Sequence, residues 1–291
     1  MIALTADETA SDGIRRVGLA VLDEAIAEQD VHEVRKRIKE LRAIARLVPG
    51  AKPLRSALRD VAHHLSASRD GEAMIESFDK LRKRFAEPWG KRRFGKIRRG
   101  LVARKTADAV PDAAALRALR PVIESWNADD LFDGLGDGYR NARRAMRAAF
   151  AARTPEQFHA WRKRIKEHWY HTQLIESAWP PVLEPQAAAL HDLSRLLGDH
   201  HDLVVLRTTL REHPADFASA RLLRAFDAFV VLRMAELEEE AGKLGQRLLA
   251  DKPQAWLRRI RTFWNVWRGS PLRKGPKRAA RREALRLAKT S

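Results

Sequence analysis

Cysteine is absent from the 291 residues, which excludes disulfides, thiolate zinc sites and cysteine nucleophiles. No stretch approaches the roughly 18 consecutive apolar residues that a membrane-crossing helix needs. The N-terminal run MIALTADETASDG has neither a basic flank nor an apolar core, so it does not read as a signal peptide. These absences lead us to expect a soluble, cytoplasmic protein. Strand-type alternation is missing and β-branched runs are few. No metalloprotease, serine-hydrolase or nucleotide-loop signature occurs either. Acids are in short supply: 38 Asp and Glu stand against 56 Lys and Arg, a net charge of +18. Such an excess repels itself in a compact chain, so a polyanionic partner is expected. Nucleic acid, polyphosphate and an anionic membrane surface are the candidates.

What is present is helical. Ala, Leu, Arg, Lys and Glu recur with a helical period. The pattern predicts an all-α fold with helices over 12–29, 31–48, 52–66, 71–86, 91–106, 112–126, 130–152, 155–178, 184–197, 201–213, 215–249 and 253–267. Asp30 and Thr154-Pro155 stand where N-caps are expected. Asp70 and Asp202 read as caps of helices beginning near Gly71 and Leu203. Seven tryptophans, including Trp161, Trp256 and Trp264, fall at helical spacing with aliphatics, as core residues do. Trp256, Phe263, Trp264 and Trp267 also interleave with Arg258, Arg259 and Arg261, an arrangement that could stack bases. Residues 271–291 form a basic tail, expected to be mobile.

The chain repeats itself. His32 to Glu40 and His159 to Glu167 are identical at seven of nine positions. Asp12-Gly13 and Asp137-Gly138 precede these segments, and Leu65…Arg69-Asp70 and Leu197…His201-Asp202 follow them, in the same order. One domain over 1–270 is therefore expected, built of repeats at about 10–110 and 130–267. Each would form a bundle of about four helices, the two related by a pseudo-twofold.

On a helical wheel Val31, Val34, Ile38, Leu41, Ala45 and Val48 form an apolar stripe, and His32, Arg35, Lys36, Lys39, Arg42 and Arg46 form a basic one free of acids. In the second copy Phe158, Trp161, Ile165 and Thr172 continue the apolar stripe, and His159, Arg162, Lys163 and Lys166 the basic one. Like charges at i, i+3 and i+4 repel by a few tenths of a kcal/mol per pair. One such stripe is an ordinary solvated face; two at matching positions point to a bound polyanion. Arg140, Arg143, Arg144 and Arg147 form a further basic ladder, with Arg15 and Arg16 at the equivalent place in the first half.

The doubled His-x-x-Arg-x-x-Ile-Lys/Arg helix, followed by Leu-Gly-x-x-x-Asp, resembles the CHAD family over about residues 10 to 267. The resemblance implies two four-helix bundles around a basic central groove or pore. It also implies non-catalytic binding of inorganic polyphosphate and association with polyphosphate granules. His32, Arg35, Lys36 and Lys39 would be one binding strip, and His159, Arg162, Lys163 and Lys166 the other. Arg69 fits the family's Arg-Asp position, where His201 departs from it. The triphosphatase β-barrel that many relatives carry has no counterpart, so a stand-alone binding module is expected. No cofactor or metal is expected. Weak, non-specific nucleic-acid binding is the alternative. A further one is a metal-dependent phosphohydrolase using His191-Asp192 and His200-His201-Asp202.

Overall fold

The structure, a computed structural model, describes residues 3–65, 67–89, 94–104 and 111–269, without the side chains of residues 64, 67–70, 88 and 89. The basic tail lies outside the described residues. Every regular element among them is a helix. The first four are α1 (Ala10–Ala27), α2 (Val31–Ile44), α3 (Lys52–His64) and α4 (Ala67–Arg84). Four short ones follow: α5 (Ala86–Trp89), α6 (Gly95–Ala103), α7 (Ala113–Arg117) and α8 (Arg120–Glu124). Then come α9 (Leu131–Ala152), α10 (Pro155–Leu174), α11 (Pro180–Glu212), α12 (Ala220–Leu248) and α13 (Pro253–Trp267).

The caps explain where the two basic helices begin. Asp30 accepts a hydrogen bond from the His32 amide at 2.8 Å and starts α2. Thr154 accepts from the Gln157 amide at 3.4 Å and starts α10, with Pro155 at the first helical position. Each side chain satisfies an amide that the first turn leaves unpaired. Val34, Ile38 and Leu41 of α2, and Phe158, Trp161 and Ile165 of α10, are fully buried. α10 packs against α2, α9 and α11, so its apolar stripe faces the core and its basic stripe is left over. Trp126, Trp161, Trp256 and Trp264 are buried.

Asp202 does not start a helix. α11 is continuous through Gly198 and Asp202, where the sequence suggests two helices and a turn. Asp70 likewise falls inside α4, which begins at Ala67. Gly198 has a different use: a Cβ there would stand 3.4 Å from Arg162 Nε, so the bare backbone lets that guanidinium lie close against α11. The repeated Asp-Gly pairs also serve close approach. A Cβ on Gly13 would come within 2.5 Å of the Leu4 side chain, and one on Gly138 within 2.7 Å of His171 Nδ1.

Two hydrophobic clusters hold the molecule. The larger joins α1, α2, α3, α7, α8, α9, α10, α13, the first half of α11 and Ala241 of α12. The smaller joins α4 and α6 to the second half of α11 and to α12. Neither cluster is built from one half of the sequence alone. α2 packs directly on α10 in the larger, and α11, whose apolar residues run from Leu183 to Leu210, brings the second half to α4 in the smaller.

Candidate polyanion-binding cavity

The leftover basic stripes of α2 and α10 meet across a cavity of about 410 Å³. From α2 come Arg35, Lys39 and Arg42, with Arg46 from the turn after it; from α10 come His159, Arg162, Lys163 and Lys166. α11 adds His201 and Asp202, and α4 adds the apolar Ala73 and Met74. Nine residues expected from sequence to bind anions are thus on one wall or another. The sequence reading missed Arg55 and Arg59 of α3, together with Arg164, Glu167 and Tyr170 of α10. Arg55 and Arg59 are a plain i, i+4 pair in the sequence. Only the packing of α3 on α2 turns them toward the site.

Other expected residues lie elsewhere. His32 is exposed at the start of α2, and Lys36 pairs with Glu33 at 2.9 Å; neither lines the cavity. Arg15 pairs with Asp12 and donates to the Trp126 carbonyl at 3.1 Å. Arg16 pairs with Glu8 at 2.6 Å. The ladder of Arg140, Arg143, Arg144 and Arg147 lies on α9, which packs against α10 through the buried side, with Tyr139 meeting His168 and Phe150 meeting Trp161. α9 is thereby on the far side of α10 from the cavity. The wheel places these arginines on one helix face but cannot say which way that face looks. The Arg69 side chain is outside the described residues.

Ten Lys and Arg face two carboxylates in the cavity, Glu167 and Asp202. Glu167 pairs with Arg46 at 2.6 Å and Arg164 at 2.8 Å. Arg35 donates to the Leu65 carbonyl at 2.5 Å and Arg55 to that of Ala45 at 3.0 Å. Both guanidiniums are held in place by backbone oxygens, which fix them without cancelling their charge. Cations this crowded oppose one another. Burial, then Arg42, Arg164 and Arg162, lowers the affinity of Lys163 for its proton. Burial and Arg46 act on Arg42 in the same direction.

The two cavity histidines are stacked, with ring centroids 4.0 Å apart and planes at 27°. Burial, with Lys163 and Arg162 beside it, pushes His159 down to about 4. Burial, with His159 and Arg162 nearby, pushes His201 down to about 3. Both are neutral near pH 7.

Among the described residues no group of three His, Asp or Glu is placed to hold a metal ion. Asp192 pairs with Arg195 on the exposed face of α11, and His191 packs on Trp169. Asp192 and Asp202 stand ten residues apart on one continuous helix, about 15 Å along its axis. No described helix is long and apolar enough to cross a membrane.

A family model described as CHAD domain matches residues 14–211. The chain belongs to the CHAD family. The match runs from α1 to the end of α11 and so contains every wall of the cavity. α12 and α13 lie beyond it, although the sequence resemblance extends to about residue 267. No curated protein and no solved structure matches this CHAD chain.

Proposed function

We propose that the protein binds inorganic polyphosphate in the cavity between α2 and α10, without catalysing a reaction on it. The observation that carries this reading is the ten-to-two excess of Lys and Arg over carboxylates in a concave site. Arg35, Lys39 and Arg42 recur along one face of α2, a row about 10 Å long at 1.5 Å per residue, and Arg46 extends it from the turn that follows the helix. A flexible chain with a negative charge on every unit satisfies such a row through charge-assisted hydrogen bonds. A volume of about 410 Å³ has room for a slender chain. Membership of the CHAD family, which is linked to polyphosphate binding, supports the same reading. In it the two basic helices are the equivalent parts of a tandem repeat, related by a pseudo-twofold about a central groove. Recruitment to polyphosphate granules in the cytoplasm is the cellular setting that follows.

The test is titration of the purified protein with long-chain polyphosphate at near-physiological salt. Truncating residues 271–291 should leave the affinity unchanged within a factor of about three, because the walls lie in the helices. Arg35→Ala or Arg162→Ala alone should weaken binding about tenfold, and the pair together more than either, with a flatter salt dependence. Unchanged binding by the double variant would overturn the assignment. Arg143, Arg144 and Arg147 on α9 favour a second, weaker contact with nucleic acid outside the cavity. Short polyphosphate should displace that DNA, while DNA should not displace polyphosphate from the cavity.

A further inference from the structure

The cavity is not uniformly cationic. One wall, where α10 meets α11, carries the stacked imidazoles of His159 and His201. At the place where the first half of the sequence has Arg69, the second half has His201. In the sequence, a permanent charge at one repeat position is matched by a titratable one at the other.

Two imidazoles 4.0 Å apart cannot both be charged in a partly buried wall without strong repulsion. The groups that face them add to it. Arg162 and Lys163 stand on the same helix. His200 follows on α11, its own ring held by Glu238 of α12 at 3.1 Å. Arg42 of α2 lies across the cavity close enough to act on Lys163. Asp202 is the carboxylate of that wall, and the described α4 side chains there, Ala73 and Met74, are apolar. His159 Nδ1 is buried and has no hydrogen-bond partner among the described residues.

We infer that the His159–His201 pair is a proton-uptake subsite, which takes a proton when a polyphosphate chain enters the cavity and so makes binding tighter as the pH falls. The inference rests on the polyphosphate reading above. A bound anionic chain reverses the sign of the local potential, and the unpartnered ring nitrogen gains an acceptor. The burial and positive neighbours that hold both rings neutral in the open cavity are then outweighed. The pair shares one proton, since a second would restore the repulsion. Phosphate is the hydrogen-bond acceptor, the imidazolium N–H the donor, and solvent supplies the proton.

Calorimetric titration of the full chain with long-chain polyphosphate, in two buffers of different ionisation enthalpy, reads proton uptake directly. Near pH 6 the wild type should take up about one proton per loaded cavity, and its affinity should rise up to about tenfold per pH unit between about pH 7.5 and 5.5. The double variant His159→Gln, His201→Gln, titrated at polyphosphate concentrations that saturate it, should lose the uptake. His213→Gln, an exposed histidine beyond the cavity, should keep it. Binding without net proton uptake, or uptake retained in the double variant, overturns the proton-uptake subsite and leaves polyphosphate binding standing. No binding by the wild type at any of these pH values overturns both.

Discussion

Glu167 is the carboxylate that the cavity's cations share. It holds Arg46, just past the end of α2, and Arg164 of its own helix, and it is only 17% exposed. It therefore joins the two basic helices while neutralising charge that a polyanion would otherwise meet. Glu167→Gln should raise polyphosphate affinity about threefold to tenfold at low salt, an advantage that fades as salt screens the released charges. The same change should lower stability by about 1 kcal/mol, because two guanidiniums lose their partner. Affinity that falls on substitution would mean that Glu167 holds Arg46 in the binding position. The sequence offers no way to foresee this residue. Glu167 and Glu40 occupy matching positions in the repeat, yet Glu40 is buried against Arg37. The difference arises from packing, which a wheel does not contain.

At the scale of elements, the caps, the apolar stripes and the doubled basic helix are legible because each depends on neighbours within one or two turns. Asp30, Thr154 and the stripe from Val34 to Leu41 behave as local chemistry requires. Contacts between helices are not legible in that way. Gly198 and Asp202 carry turn and cap preferences, but Leu193, Leu197, Leu203 and Leu206 stay buried across them, and packing keeps α11 whole. Gly138 was visible as a repeat anchor without its reason, which is the approach of His171 from α10. His171 Nε2 lies 2.8 Å from the Ala43 carbonyl at the end of α2, so the imidazole ties three helices together. Gly138→Ala places a methyl against that ring. The gain in helix propensity, about 1 kcal/mol, should be exceeded by overpacking of about 1–3 kcal/mol. Urea denaturation of the variant should show a lower midpoint with an unchanged slope; a higher midpoint would show that the ring can move aside.

For the whole molecule, acid is the condition that sets two of its parts against each other. His168 is fully buried, edge-on to both rings of the stacked Tyr139–Trp256 pair, and neither of its ring nitrogens has a hydrogen-bond partner among the described residues. Burial pushes it down to about 3 and lowers His171 as well. An unfolded imidazole titrates near 6.5, so below that pH the unfolded chain binds more protons than the folded one. The stability these residues allow is complete above about pH 6.5 and is lost progressively as the pH falls toward 3. His168→Phe, which removes the proton acceptor and needs no hydrogen bond, should flatten that acid limb by an amount on the order of 1–3 kcal/mol at pH 5. An unaltered limb would locate the acid sensitivity elsewhere. The net charge of +18 deepens the loss for the free protein. A bound polyanion should offset it, since a ligand that binds only the folded state stabilises that state. The overall charge and the all-helical class were open to the sequence. The sharing of helices between two cores was not, because it depends on where a long helix goes after it leaves its own neighbours.

That long helix has one more consequence. At 33 residues α11 is about 50 Å from end to end. Leu196 packs against both hydrophobic clusters, with Leu197 belonging to one and Leu203 to the other. His201 and Asp202 sit in the few residues between, so the cavity opens at the seam where the two cores are stitched to a common spine. Melting either core frays the spine that the other leans on, and the chain should come apart in a single step rather than two. A ligand gripping that seam acts as a brace across the whole molecule, not as a local patch on one of its halves.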